Sequence, residues 1–444
     1  MIVMKFGGTS VRNGPMIHQV TEIIRSQLER QPVVIVSAHA GVTDHLIQLG
    51  ESARTHRPDL TWIRELHTQI LSELQLSTHL ITPLLEELER TLNTLSLAEH
   101  YTPQRQDEIL SFGERLSATI IASFMTKQGI PARSYEAPDL GLLTNNHFGE
   151  AHPLAEAYPQ LKKSISKLQE VPVITGFLGK TLAGEWTTLG RSGSDFSASI
   201  IANAISAQEI QFWKDVPGVM TADPRVVLQA RTVPVLSFEE ASEMACYGAK
   251  ILHPSSILPA IEKNIPIRIL NTNAPNFSGT TIGESPSAVD GIKAIIHKKN
   301  IVVLRMKFPS SGLFKSEFLQ KVFGIFARYH LRLGLIVTIE DMLTLTLHQP
   351  PDSLKILTAE LELLGTEVQV EQNKSLICLI GRAVPKVREF AAKIFKSLPQ
   401  HETEVVVISQ GLRKINIAFL VEQSQCFSTL KILHQAFFES ELKR

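Results

Sequence analysis

Residues 2–10 read Ile2-Val3-Met4-Lys5-Phe6-Gly7-Gly8-Thr9-Ser10. A short β-rich apolar run ends on two glycines and two hydroxyl residues, the pattern of a buried strand feeding a tight turn. Paired glycines let the backbone approach a ligand, and successive N–H groups there form an anion-binding nest. Lys5 adds a cation at the same place. The GxxxxGK[ST] spacing of a Walker loop is absent, so this is not that phosphate loop. Taken alone, the two glycines also read as a simple turn.

Similar runs recur at 32–37 (PVVIVS), 171–177 (VPVITGF), 209–213 (EIQFW) and 266–270 (PIRIL). Helical patterns over 16–30, 107–129 and 194–206 lie between them. Near-continuous apolar strands alternating with helices predict α/β architecture, a parallel sheet covered on both faces. Residues 57–100, rich in Leu, Glu and Thr, read as an inserted helical segment. The turn-rich stretch 279–286 (GTTIGESP) closes a first domain over 1–285.

A different pattern follows. Strand 301–307, helix 317–330, strands 331–338 and 343–348, helix 352–364 and strand 366–371 form one βαββαβ-like unit. Strand 375–380, helix 384–398, strands 404–409 and 414–420 and helix 425–439 begin a second. The repeat of about 75 residues predicts tandem small-ligand modules, over 297–372 and 373–444. The second lacks a last strand, so it borrows one or interleaves with the first. One larger α+β domain is the alternative.

The 444 residues carry 44 Lys+Arg against 44 Asp+Glu, with 43% hydrophobic and 20% charged residues. Zero net charge excludes nucleic-acid or anionic-membrane binding by bulk electrostatics, but leaves room for a local anion site. Cys246, Cys378 and Cys426 show no metal-ligand or disulfide spacing and read as buried reduced thiols. No apolar run nears the ~18 residues of a membrane span, and Lys5 and the glycines interrupt the only early apolar run. A soluble, cytoplasmic chain is expected.

Three further clusters and two single residues carry polar chemistry. Gly190-Arg191-Ser192-Gly193-Ser194-Asp195 leads a glycine-rich turn into a helix start, which suits an anion or plain N-capping. Arg191 suits a carboxylate. Trp213-Lys214-Asp215-Val216-Pro217-Gly218-Val219-Met220 continues through Thr221-Ala222-Asp223-Pro224-Arg225. It is an irregular loop leaving a strand end, where α/β sheets bind ligands. Residues 239–254 run from an acidic helix start past Gly248 to Lys250, Ile251 and His253. Glu114 interrupts an apolar helix, so it is expected buried and paired. Thr43 follows the second strand.

In this order KFGGTS, SAHAGVT, FGERLS, TTLGRSGSDFSA, WKDVPGVMTADPRVV and MACYGAKILHP closely resemble the aspartate kinases of the amino-acid kinase family. The resemblance covers residues 1–285, and 300–444 resembles the tandem ACT domains of the same enzymes. It implies a parallel-sheet-centred αβα sandwich with two ACT-like βαββαβ modules, in a monofunctional enzyme. The implied reaction moves the γ-phosphoryl of Mg-ATP to the β-carboxylate of L-aspartate. The 4-phospho-L-aspartate formed feeds lysine (diaminopimelate), threonine and methionine synthesis. Mg2+ arrives with ATP.

The resemblance also assigns residues. Lys5, Asp195 and Lys250 would be catalytic. Thr43, Glu114, Arg191 and Ser194 would hold aspartate, with Glu114 on its ammonium. Lys5, Phe6, Gly7, Gly8, Lys214, Asp215, Met220, Arg225, Lys250 and Ile251 would contact ATP. A regulatory segment containing Phe318, Leu319, Gly334 and Glu340 would face an amino-acid effector in a homodimer paired through ACT domains. Several positions depart from the family pattern. Ser192 stands for a usual glycine, Lys214 for Thr, Met220 for Tyr and Ala222 for Thr. Gly334 stands for a usual acidic residue and Ile339 for Ser, which removes an anchor for a lysine effector. The alternatives are a catalytically weak amino-acid sensor and a kinase for another acidic amino acid.

Overall fold

In a computed structural model the chain forms two compact units. The structure describes all residues except 54, 96–100, 250–251, 285–290, 309–314, 332, 349–352, 383–386, 399–406, 411–414 and 440–444. Lys250 and Ile251 therefore lie outside the described residues. So do the expected domain boundary at 285 and the expected starts of elements at 352, 384, 404 and 414. Among the described residues no helix is long and apolar enough to cross a membrane.

The first unit comprises residues 1–219, 232–245 and 250–288. Its strands are β1 Ile2–Phe6, β2 Pro32–Val36, β3 Ala132–Tyr135, β4 Val171–Thr175, β5 Leu178–Lys180, β6 Trp186–Thr188, β7 Ile210–Lys214, β8 Val235–Ser237, β9 Ile267–Asn271 and β10 Thr280–Gly283. Eight of them form one sheet, in the order β3-β4-β2-β1-β7-β9-β10-β8. The six from β3 to β9 run parallel, and β10 joins β9 antiparallel. Every residue of β1 and β2 is buried, which is why these strands read as unbroken apolar runs.

The helices of this unit are α1 Gly14–Arg25, α2 Val42–Ser52, α3 Thr61–Glu73, α4 Thr82–Leu95, α5 Pro103–Lys127, α6 Ala157–Ile165, α7 Gly193–Ile205, α8 Phe238–Cys246 and α9 Pro254–Glu262. The helix expected over 16–30 ends at Arg25, and Leu28–Arg30 makes a separate 3-10 turn closed by Gln31 at φ 51°. Cys378 and Cys426 are buried free thiols, but Cys246 is exposed, because it lies at the last position of α8.

The second unit comprises residues 220–231, 246–249 and 289–444. Its strands are β11 Ala294–Lys307, β12 Leu333–Ile339, β13 Met342–His348, β14 Val368–Ile380, β15 Val407–Gln410 and β16 Asn416–Glu422. They form one sheet in the order β12-β13-β11-β14-β16-β15 with antiparallel neighbours. The helices are α10 Lys315–Arg328, α11 Leu354–Glu362, α12 Val387–Ser397 and α13 Cys426–His434. Phe318, Val322 and Phe326 of α10 and Leu357 and Leu361 of α11 cover one half of the sheet. Ile394 of α12 and Leu430 and Leu433 of α13 cover the other, together with Ala222 and Val227.

The strands expected at 366–371 and 375–380 are one continuous strand, β14, and the strand expected at 301–307 begins earlier, at Ala294. Asn300 and Asn373 take left-handed backbone angles (φ 58° and 56°) within these strands. The β11–β14 register shifts beside Asn300. Asparagine tolerates that conformation better than most residues, and in sequence it reads as a turn. The first part of β11, Ala294 to Lys298, pairs with Ile380 to Leu376. The second repeat thus receives a strand from the start of the first.

Candidate active site

Strand order reverses at β1 and β7, since β2 flanks β1 on one side and β7 on the other. Ligands in open α/β sheets bind beyond the carboxyl ends of the strands at such a switch point. Lys5 and Lys214 stand there, near the ends of β1 and β7. Asp195 arrives from the first turn of α7. Its Oδ1 lies 2.6 Å from Lys5 Nζ and its Oδ2 lies 2.9 Å from Lys214 Nζ.

Lys5 is 6% and Asp195 4% exposed. Burial alone would raise the Asp195 carboxyl, but Lys214 and Lys5 outweigh it and hold the group at about 2. Burial and the neighbouring Lys214 press Lys5 below its ordinary value, while Asp195 and Glu114 oppose that. The close contact of Lys5 with Asp195 favours the ion pair. Two cations on one carboxylate leave an uncompensated positive charge, which suits an anionic ligand.

The Gly7-Gly8 turn follows β1 directly. A Cβ on Gly8 would sit 2.7 Å from the Ala38 carbonyl oxygen, so only glycine fits between the turns after β1 and β2. Gly7 N–H donates to Trp213 O at 3.3 Å, and Phe6 stacks on Trp213 with centroids 6.0 Å apart. These contacts lock the turn to the end of β7.

Glu114 sits on α5 with 3% exposure. Gly113 beside it lets the helix approach, since a Cβ there would lie 2.8 Å from Ala38 Cβ. Ser194 Oγ donates to Glu114 Oε1 at 3.4 Å, and Oε2 has no hydrogen-bond partner among the described residues. Burial pushes the carboxyl up to about 7 against the Ala38 N–H, Lys5 and Ser194. A buried carboxylate with an open oxygen fits an ammonium.

Thr43 is half-buried in the first turn of α2. Arg191 is exposed in the turn before α7. Ser192 takes φ 57° there, a left-handed angle open to a residue with a Cβ, so the departure from glycine is accommodated. Asp215 is exposed just beyond β7. Met220 and Arg225 belong to the second unit. Arg225 is exposed, and its Nε and Nη2 donate to Asp223 Oδ1 and Oδ2 at 3.0 and 2.7 Å. The structure thus gathers Lys5, Gly7, Gly8, Glu114, Ser194, Asp195 and Lys214 around the ends of β1 and β7.

Sequence reasoning passed over Asp107, which organises the approach to Arg191. Its Oδ2 accepts from Gly149 N–H at 2.8 Å and Thr188 N–H at 2.9 Å, and its Oδ1 accepts from the Thr188 hydroxyl at 2.7 Å. Thr188 ends β6, three residues before Arg191. An acid at the fifth position of an otherwise polar helix start gives no signal of that role.

The positions expected to be regulatory lie in the second unit. Phe318 is buried in the core under α10, and Leu319 packs beside it. Gly334 is the second residue of β12, and a Cβ on it would lie 2.5 Å from Thr346 Oγ1 and 3.0 Å from His348 Nε2. Leu335 N–H donates to that same Thr346 hydroxyl at 2.6 Å. Glu340 is exposed in the β12–β13 turn at φ 39°, and its carbonyl accepts from Lys315. Among the described residues no group of three or more His, Cys, Asp or Glu side chains is placed to hold a metal.

The family model described as "Amino acid kinase family" matches residues 1–271, and that described as "ACT domain" matches 377–437. The chain is 36% identical to "Aspartokinase 3, chloroplastic" of Arabidopsis thaliana, over 99% of this chain and 82% of that one. It superposes on Escherichia coli aspartokinase III in complex with aspartate and ADP (R-state) with a TM-score of 0.85, at 30% identity, covering 99% and 100% of the two chains. The complex of the same enzyme with lysine and aspartate (T-state) gives 0.80 at 30% identity, covering 99% of each. The chain belongs to the amino acid kinase family and, within it, to the aspartokinases, enzymes that phosphorylate aspartate.

Proposed function

We propose that this protein transfers the γ-phosphoryl of Mg-ATP to the β-carboxylate of L-aspartate and yields 4-phospho-L-aspartate and ADP. The observation that carries this reading is the Asp195 carboxylate bridging Lys5 and Lys214 at the β1–β7 switch point. A carboxylate oxygen of aspartate attacks the γ-phosphorus, the new P–O bond forms, and the bond to the bridging oxygen of ADP breaks. The attacking group is already ionised, with an ordinary pKa near ~3.9, so no general base is needed. Charge stabilisation and alignment then supply the catalysis. Magnesium enters as part of the nucleotide substrate and is held chiefly by phosphate oxygens.

In this reading Lys5, with the Gly7 and Gly8 amides, holds the transferring phosphoryl, Asp195 orients the lysines, and Lys250 reaches the phosphates. Glu114 takes the substrate ammonium, Arg191 a carboxylate, and Thr43 and Ser194 line the pocket. Phe6, Lys214, Asp215, Met220, Arg225 and Ile251 border the nucleotide. The reaction stands at the head of lysine, threonine and methionine synthesis in the cytoplasm. The kinase domain covers 1–285. The ACT-like modules at 297–372 and 373–444 pair two subunits into a homodimer.

ADP formation on a panel of L-aspartate, L-glutamate and N-acetyl-L-glutamate tests the assignment. Turnover is expected with aspartate, and Lys5→Ala should lower it by about 100-fold or more. Equal rates on an acetylated acid would reassign the substrate, and no turnover in folded protein would favour the amino-acid sensor.

The ACT-like region carries an effector prediction. A side chain at position 334 has no room beside Thr346 and His348, and position 339 is isoleucine. The usual anchor for a lysine ammonium is missing, so lysine at micromolar concentration should leave the rate unchanged. Titrating lysine, threonine and methionine, singly and in pairs, checks this. Half-inhibition by micromolar lysine would contradict it.

A further inference from the structure

The inserted segment has no part in the chemistry described so far. Its first helix, α3, nevertheless reaches the turns that build the site. The His67 ring of α3 packs on that of His39, with centroids 5.2 Å apart and planes tilted by 57°. Trp62 packs on His45 of α2 with centroids 4.4 Å apart. A Cβ on Gly41 would lie 3.5 Å from the Trp62 ring, and Gly41 sits at φ 84°. At the far end of α3, Glu73 Oε2 accepts from Gly14 N–H, the first residue of α1, at 2.7 Å.

His39 is the hub of these contacts. Its Nδ1 lies 2.7 Å from Val11 O, the last residue of the 3-10 turn Gly8–Val11. His39 thereby ties the turn after β2 to the glycine turn after β1. The N–H of its neighbour Ala38 favours the ionised Glu114 carboxylate, and the Ala38 carbonyl oxygen crowds Gly8. A rotation of His39 would therefore disturb both the ammonium acceptor and the phosphoryl nest.

The rings themselves demand a close partner. His39 Nδ1 and His67 Nδ1 each face a backbone carbonyl, Val11 O and Ile63 O, at 2.7 Å. Carbonyl oxygens only accept, so each Nδ1 carries a hydrogen and each neutral ring leaves a lone pair on Nε2. Both Nε2 atoms are buried with no hydrogen-bond partner among the described residues. The tilted ring contact places His39 by shape and not by a hydrogen bond to His67.

We propose that helix α3 is a brace for the aspartate-binding turn, in which His67 and Trp62 are positioning residues that hold His39 and residues 40–45 in place. The proposal rests on the aspartate kinase reading for its kinetic consequence, but not for its structural one.

The test uses the full chain with His67→Ala, His67→Gln and Trp62→Ala. Displacing a substrate turn by a fraction of an ångström raises KM for aspartate and lowers kcat/KM for aspartate by about tenfold. KM for ATP, which depends on the glycine turn that His39 reaches only through Val11, should rise less than KM for aspartate. His67→Gln fills much of the same space and keeps a donor for the Ile63 carbonyl, so it should recover most of the loss. Trp62 is 40% exposed, and its alanine variant should fold and show the same aspartate-selective defect.

Amide hydrogen exchange of residues 37–45, read on the same proteins without substrate, should speed up in His67→Ala and Trp62→Ala, with α7 unchanged. That readout stands even if wild-type protein turns over no aspartate, which would overturn only the kinase reading. Unchanged exchange in 37–45 with unchanged aspartate kinetics in Trp62→Ala would overturn the brace, whether or not His67→Ala folds. A loss confined to ATP binding would overturn it as well.

Discussion

Asp195→Asn is expected to lower kcat by about 100- to 1,000-fold, roughly 3–4 kcal/mol of transition-state stabilisation. KM for aspartate should change little. The substitution preserves shape and removes only the charge that Lys5 and Lys214 share. Two lysines would then face each other in a buried site with no anion between them. Burial already presses Lys5 down, and Asp195 is the strongest influence holding it up. Without it, Lys5 should lose its proton at lower pH, so the alkaline limb of the kcat profile should move toward acid. Activity within tenfold of wild type, with an unmoved alkaline limb, would show that the Lys–Asp–Lys bridge is not the catalytic centre.

The second large effect concerns acid stability. Burial holds His39 at about 3, with His67 lowering it further, and holds His67 at about 4. Unfolded histidine titrates near ~6.5. The unfolded chain therefore binds more protons than the folded one between those values, and stability falls as pH drops below 6.5. At pH 5 the expected loss is about 2 kcal/mol for each ring relative to neutral pH. Glu114 acts in the opposite sense. Its carboxyl, raised to about 7 in the folded protein, favours folding toward the acid side of that value.

A comparison with a variant isolates the histidines from that opposing trend. Urea unfolding at pH 5 and pH 7.5, followed by tryptophan fluorescence, should show a smaller acid loss in His39→Asn/His67→Gln than in wild type. Trp62, Trp186 and Trp213 all lie in the first unit, so the signal reports that unit. Equal acid losses in both proteins would mean that the rings are not held neutral by burial.

The elements that sequence reading captured best are those whose burial leaves a local mark. β1, β2, β4, β7 and β9 are short apolar runs because helices cover both faces of their sheet. Gly7, Gly8, Glu114 and Asp195 stood out because glycine pairs and isolated acids are unusual in such surroundings. The bond from Lys214 to Asp195 left no such mark. It depends on β7 lying beside β1, a pairing of strands about 200 residues apart that no local pattern encodes. His39 and His67 were silent for the same reason, since each is an ordinary histidine until α3 is placed. β11 and β14 were cut short in the reading because Asn300 and Asn373, flanked by polar residues, look like the ends of strands.

Those two strands give the regulatory region an unusual wholeness. Each runs from the territory of one repeat into that of the other, with a left-handed backbone angle at its asparagine. No loop separates the repeats at 372–373, where β14 is in mid-course. A chain severed there would leave a frayed strand on both fragments, and neither repeat could be exchanged for a foreign copy without unpicking its neighbour. The two halves of the sheet share a continuous backbone through β11 and β14. The two repeats are therefore built as one sheet, joined through two shared strands.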